Sequence, residues 1–316
     1  VAINAETGQA IWTFDPQSYQ AGRPPNHGFV HRGVAYWEKD NDKRIFVGTL
    51  DSFLYSIDAC TGEVDLNFNN GGKVNLLEGL GRAINNDHYG VNSPPLVCKD
   101  TVVVGSSVMD YPAQYLNATS MAPGDVRAYD AITGQLKWQF HVIPHEGEFG
   151  ADTWENTSYL EGAGVNVWST FSCDEELGMV YLPLTTPTND HFGGDRLGDN
   201  LFAESVVALD VETGERKWHF QTVHHGLWDY DLPAAPNLID VTTAAGTEKL
   251  LAQVTKQAFL FVFNRETGQP KWPIIETPVL SSTVTGEEVS STQPIPSKPA
   301  PYDHQGVNES NIIDFS

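Results

Sequence analysis

The chain has 316 residues, of which 40% are hydrophobic and 11% aromatic, enough to bury a sizeable core, and its 28 glycines and 19 prolines make it rich in turns. With that balance and no long Ala/Glu/Lys/Leu runs, an all-β fold is expected. Eighteen basic residues against 41 acidic ones give a net charge of −23, which argues against nucleic acid and anionic membrane surfaces as partners. Cys60, Cys98 and Cys173 lie far apart without metal-ligand spacing and are read as buried small residues. No stretch approaches the roughly 18 apolar residues of a membrane helix. No signal peptide opens the chain, but Val1 to Asn4 already reads as the middle of a strand, so the true start is expected upstream.

The first segment, Ala2-Ile3-Asn4-Ala5-Glu6-Thr7-Gly8-Gln9-Ala10-Ile11-Trp12, sets a pattern that returns along the chain. It recurs from Ser56 to Glu63, from Ala128 to Trp138, from Ala208 to Trp218 and from Val262 to Trp272. Each copy reads as a hairpin. A strand ends at Asp or Asn, whose side chain can bond amides across the turn; Thr-Gly supplies positive φ; a second strand ends in Trp. The indole is too large for a two-stranded hairpin to bury alone, so it must pack on a neighbouring unit. The glycines fall at 8, 62, 134, 214 and 268, and spacings of 54 to 80 fit four-stranded blades, some with inserted loops, stacked radially as a β-propeller. In the second copy Asp65 stands near the Trp position, so that unit must dock differently.

Between the copies, Gln17 to Asn26 is a loop punctuated by Gly and Pro, and Arg44 to Ile57 alternates as two strands. Asn67 to Asp87 reads as a polar connection, followed by Asn92-Ser93-Pro94-Pro95 and the strand Val102-Val103-Val104. Phe140 to Gly164 holds His145, Glu146, Glu148, Asp152 and Glu155, whose irregular spacing favours a solvated loop over a metal site. His224-His225-Gly226-Leu227-Trp228-Asp229-Tyr230-Asp231 has no helical or strand period. It reads either as a loop presenting polar groups to a ligand, with an Asp beside a Trp whose basicity a partly apolar pocket could adjust, or as a solvated connection around a buried Trp. After Trp272, residues 273–301 are rich in Pro, Ser and Thr and read as an extended connection, so the domain boundary is set at 272, with 273–316 outside the propeller.

The Asp-x-x-Thr-Gly-x-x-x-Trp copies resemble the tryptophan-docking motifs of the quinoprotein alcohol and sugar dehydrogenases, eight-bladed β-propellers that hold pyrroloquinoline quinone (PQQ) and a divalent metal on the propeller axis. The likeness runs along essentially the whole chain. It is strongest to the membrane-type glucose dehydrogenase branch, through His224-His225-x-Leu227-Trp228-Asp229-x-Asp231 and Lys256, which lies 27 residues after Asp229. The resemblance implies that Asp229 is the catalytic base and that Lys256 bonds the quinone oxygens. It further implies that Arg32, in His31-Arg32-Gly33-Val34-Ala35-Tyr36-Trp37, pairs with a cofactor carboxylate, and that Trp168 forms the floor beneath the quinone. Asn92 or Ser93 would contact the cofactor, and Asp110 would give the metal a hard oxygen donor.

Two departures separate this sequence from the alcohol-oxidising members, and a third from the glucose-oxidising branch. Asn26-His27 stands where those carry adjacent cysteines, which makes His27 a lid or substrate-contact candidate. Thr185-Thr186-Pro187-Thr188 stands where they use an Asn on Ca²⁺, which leaves Ca²⁺ or Mg²⁺ open, and residue 111 is Tyr where the glucose-oxidising branch has Asn. The implied activity is oxidation of a sugar or polyol hydroxyl by hydride transfer to PQQ in the periplasm, with ubiquinone or a cytochrome c as electron acceptor. An alcohol dehydrogenase, or a non-catalytic propeller scaffold of the outer-membrane assembly type, is the rival reading. Five motif copies cannot close eight blades, so the remaining blades are expected from further sequence.

Overall fold

The repeated turns close in one manner throughout. Asn4 Oδ1 accepts from the backbone N–H of Glu6 and Thr7 at 2.9 Å, and Asp58, Asp130, Asp210 and Asn264 each accept the corresponding pair. The turn glycine donates back to the carbonyl of the same Asp or Asn at 2.8–2.9 Å, with φ between 69° and 77° in all five copies. A side chain would be strained at that φ, which is why the position is Gly each time.

The structure, a computed structural model, describes residues 1–24, 28–82, 84, 86–109, 121–244 and 246–313, and it is all-β with a few short 3₁₀ turns. Strands β1 (Ala2–Ile3) and β2 (Ala10–Trp12) make a hairpin. Strands β3 (Ala35–Lys39), β4 (Asp42–Gly48), β5 (Phe53–Asp58) and β6 (Lys73–Asn75) form an antiparallel sheet in chain order. Next come β7 (Tyr89–Gly90), β8 (Leu96–Cys98), β9 (Thr101–Val104), β10 (Ser107–Val108), β11 (Val126–Asp130) and β12 (Leu136–Phe140). Of these, β7 pairs with β10, and β8-β9-β11-β12 form the second sheet. The third sheet is β13 (Ser172–Asp174), β14 (Met179–Pro183), β15 (Ser205–Asp210) and β16 (Arg216–Gln221). The fourth has β17 (Asn237–Thr243), β18 (Gly246–Val254) and β19 (Leu260–Asn264).

Successive sheets stack face to face, and strand alternation shows how. Val102 and Val104 of β9 join a core with Phe46 and Leu54 of the first sheet, whereas Val103 between them joins a core with Val180 and Val207 of the third. On the third sheet, Met179, Tyr181 and Trp218 turn the other way, to Leu251, Phe261 and Phe263 of the fourth. Both faces of the middle sheets are therefore buried, which accounts for their unbroken apolar runs.

The motif tryptophans join each unit to the next. Indole N–H groups of Trp12, Trp138 and Trp218 donate to the carbonyls of Ala59, Val211 and Arg265, at 3.1, 2.9 and 2.9 Å, each carbonyl belonging to the following turn. The rings lie on the turn glycines: a Cβ added to Gly62, Gly214 or Gly268 would fall 2.5–2.7 Å from Trp12, Trp138 or Trp218. The second copy, which lacks the Trp, uses a substitute. Arg44, held by Asp65 at 2.9 Å, donates to the carbonyls of Ala131 and Ile132 at 3.0 and 2.8 Å, while Phe68 and Asn69 cover Gly134.

Two expectations are corrected. Cys98 and Cys173 are not separate buried thiols but a disulfide, because β8 and β13 bring their Cα atoms to 6.0 Å; Cys60 is free and exposed. Residues 273–301 are also not simply extended: β20 (Ile274–Pro278) and β21 (Thr292–Pro296) pair as a hairpin. A two-stranded ribbon bonds on one side of each strand only, so Pro294 and Pro296, two residues apart, can point their missing N–H outward. Gln293 ties this hairpin to the backbone of His224 at 2.9 and 2.6 Å.

Candidate functional site

In an antiparallel meander the start of the first strand and the end of the second lie at the same end of the sheet. Arg32, Ser93, Trp168 and Asp229–Asp231 precede the first strands β3, β8, β13 and β17, and Thr186 and Lys256 follow the second strands β14 and β18. Topology alone thus gathers all of them at one end of four stacked sheets.

The half-buried indole of Trp168 is the floor of this arrangement. The Arg32 guanidinium sits 5.0 Å and the Lys256 ammonium 6.0 Å from its ring centroid, two cations against one indole in a chain of strongly negative net charge. Ser93 Oγ donates to the Trp168 carbonyl and contacts Asn92 Oδ1 at 3.2 Å; the Asn92 carbonyl accepts from the Arg32 N–H at 2.9 Å. Asn92 and Ser93 therefore position Arg32 and Trp168.

Lys256 Nζ donates to Asp229 at 2.9 Å and to Asp231 at 3.1 Å. The two carboxylates differ in environment. The Asp229 side chain is 42% exposed and Asp231's only 11%. Asp229 takes a left-handed backbone (φ 54°), and Trp228 beside it is exposed, so the loop holds this carboxylate toward solvent and not in an apolar pocket. Asp231 accepts from the Trp168 indole N–H at 3.0 Å and the Thr186 N–H at 2.8 Å. Burial pushes its pKa above the ordinary carboxylate range, opposed by the Lys256 charge. Lys256 feels burial downward, but the charge of Asp231 and the bonds to both carboxylates prevail and hold it above its usual value.

Thr186 passes the network inward: its hydroxyl donates to Glu204 at 3.0 Å. Glu204 is fully buried, and burial raises its pKa to about 8, so its carboxyl is largely protonated at neutral pH. Gly226 lies directly against it; a Cβ there would come within 1.7 Å of Glu204 Oε2. Arg196 fastens the 190–200 loop to the site loop, donating to the carbonyls of Asn189 and Gly226 at 2.8 and 2.7 Å.

The structure thus brings together Arg32, Ser93, Trp168, Asp229 and Lys256. His27 and Asp110, the lid and metal-ligand expectations, lie outside the described residues, as does Tyr111. The imidazoles of His224 and His225 turn away from the indole face: His224 bonds Gln221 at 2.9 Å and Glu276 at 3.2 Å, and buried His225 bonds the Gly198 carbonyl at 2.6 Å. Asp231 and Glu204 had no expected role. Asp231 could have been found from its two-residue offset from Asp229, whereas nothing local marks Glu204.

The family model described as PQQ, glucose/ethanol/alcohol dehydrogenase, beta-propeller domain, matches residues 1–316. The chain is 35% identical to a quinate/shikimate dehydrogenase (quinone) of Acinetobacter baylyi, over 98% of this chain and 40% of that protein. It is 32% identical to a quinoprotein glucose dehydrogenase of Gluconobacter oxydans, over 93% of this chain and 37% of that one. Among solved structures, a quinohemoprotein alcohol dehydrogenase from Comamonas testosteroni superposes with a TM-score of 0.70 at 27% identity, covering 93% of this chain and 42% of the other. The chain spans about two fifths of the length of these relatives.

Proposed function

Given that the chain belongs to the family of PQQ-dependent glucose, ethanol and alcohol dehydrogenase β-propeller domains, we propose that the complete protein oxidises a sugar or polyol hydroxyl with Asp229 as general base. The observation that carries this reading is the convergence of Trp168, Arg32, Lys256 and Asp229 at one end of the sheets. A flat tricarboxylate suits this setting: an indole face for the ring, a planar guanidinium for a carboxylate and an ammonium for ring oxygens. Trp168, Arg32 and Lys256 would hold PQQ. Asp110 is the proposed ligand for Ca²⁺ or Mg²⁺, as a hard oxygen donor. When bound, the quinone supplies the two-electron acceptor and the metal its electrophilic activation.

The chain's own residues account for the remaining chemistry. Asp229 is accessible enough to receive a hydroxyl proton on Oδ, and the adjacent Lys256 holds it oriented. Asp231 fixes both partners, since one carboxylate oxygen accepts from Lys256 and from the Trp168 ring. Thr186 anchors Asp231 through its backbone N–H, and the lack of an Asn in the 185–188 turn, where alcohol-oxidising members use one, favours the sugar type. The relatives named for quinate/shikimate and glucose support a polyhydroxylated substrate, while the alcohol dehydrogenase neighbour keeps a simple alcohol as the second reading. Eight blades, completed by sequence beyond this chain, ubiquinone or cytochrome c as acceptor and a periplasmic location complete the proposal; the Cys98–Cys173 disulfide supports an oxidising compartment. In the full-length protein reconstituted with PQQ and Ca²⁺, Asp229→Asn should bind quinone normally yet lose polyol-dependent dye reduction by about 10²–10⁴-fold. Turnover at the wild-type rate would remove Asp229 from the mechanism.

A further inference from the structure

The loop after β12 was read from its spacing as solvated and acidic, and the fold gives it a more definite shape. The imidazoles of His141 and His145 stack with centroids 3.7 Å apart and planes 20° from parallel. The Glu148 carboxylate lies against His141 Nδ1 at 2.9 and 3.1 Å and accepts from the His145 backbone N–H at 2.7 Å. One donor atom from each of the three side chains falls within 4.8 Å of the other two. We propose that His141, His145 and Glu148 form a binding site for a borderline divalent transition ion of the zinc(II) class, separate from the quinone site.

Two features favour an ion over a hydrogen-bonded turn. The donor set is two imidazoles and one carboxylate from eight consecutive residues, a ligand class that suits zinc and is a poor match for calcium, which takes six or more oxygens. Tetrahedral zinc holds N and O donors about 3.4 Å apart, so the His141–Glu148 pair would open by about half an ångström and the two stacked rings would tilt apart until both lone pairs point at the ion.

The loop is also fixed before any ion arrives. Between the two histidines, Val142 and Ile143 are buried in the core shared by the second and third sheets. The Val142 N–H donates to buried Asp125 at 3.2 Å, and its carbonyl accepts from Phe202 at 3.1 Å. Beyond Glu148, Phe149 lies under the Arg216 guanidinium, 4.1 Å from ring to Cζ, and a Glu148–His145 backbone bond of 3.0 Å closes the turn between the ligands. Such pre-organisation leaves less entropy to be lost on binding. The exposure of His145 and Glu148 leaves the fourth coordination position open to water. The cluster lies at the same end of the second sheet as Ser93 but beyond the opposite edge strand, β12.

The test is equilibrium dialysis of the full-length protein against Zn²⁺, with PQQ bound and excess Ca²⁺ present to occupy the hard-cation site, followed by elemental analysis. Wild-type protein should retain one equivalent of zinc more than His145→Ala and Glu148→Gln, and its thermal midpoint should rise with zinc concentration while theirs does not. Both replaced groups are exposed, so the variants should fold, which circular dichroism verifies. Substituting Co²⁺ should give visible absorption of a four- or five-coordinate site in wild type only. Equal zinc content in wild type and both folded variants would overturn the proposal and leave Glu148 as a turn-capping carboxylate.

Discussion

Replacing Lys256 with Met tests the charge balance of the site most sharply. Asp231 is 8% exposed and keeps two neutral donors, Trp168 Nε1 and Thr186 N, but loses its only cation within 4 Å among the described residues. Two unit charges at the observed 3.1 Å interact by about 5 kcal/mol at an effective dielectric of about 20. The Lys256 side chain is 30% exposed and shared with Asp229, so screening reduces the loss to about 2–4 kcal/mol at neutral pH. In the variant, the Asp231 pKa rises further above its unfolded value. Stability from such a group is fully present below the unfolded pKa and is lost as pH rises through the folded one, so the penalty should be larger at pH 7.5 than at pH 5. Urea unfolding of full-length wild-type and Lys256→Met protein at both pH values measures it. Adding Asp231→Asn should recover part of the loss, since the amide removes the buried charge but opposes one of the two donors. A Lys256→Met protein as stable as wild type at pH 7.5, or equally destabilised at both pH values, would refute the reasoning.

Glu204 gives an alkaline counterpart. Its folded pKa of about 8 lies above the unfolded carboxylate value, so wild type should lose about 1.4 kcal/mol per pH unit relative to Glu204→Gln between pH 5 and 8, flattening above that. A pH-independent difference in unfolding free energy would contradict a buried, protonated carboxyl. The Cys98–Cys173 disulfide closes a 75-residue span, and Cys98→Ser/Cys173→Ser should cost about 4 kcal/mol in urea unfolding; an unchanged midpoint would count against its structural role.

What could be read from the sequence is what local geometry dictates. The Asp-Thr-Gly turns are specified within five residues, and the size of Trp138 and Trp218 already required a neighbour to cover them. Asp65 marked the one unit without its indole, but the substitute needed coordinates: Arg44, 21 residues earlier in the chain, donates where an indole N–H does elsewhere. Contacts set by sheet stacking were equally hidden. Cys98 and Cys173 meet because two different sheets place β8 beside β13, and Glu204 reaches the site from the start of β15 through Thr186. Within the site loop, composition suggested two ligand-facing imidazoles and a sheltered Asp229. The left-handed backbone at His225 and Asp229 reverses this, burying His225 and exposing the carboxylate.

In the proposed cofactor site Trp168 is the floor, beside Arg32, Lys256 and Asp229. Absorbance titration of the full-length apoprotein with PQQ in the presence of Ca²⁺ tests this directly. The expected result is saturation at one equivalent, weakened about 100-fold by Trp168→Ala and unchanged by Asp229→Asn. Binding by Trp168→Ala with wild-type affinity, or no saturable binding by wild type, would contradict it.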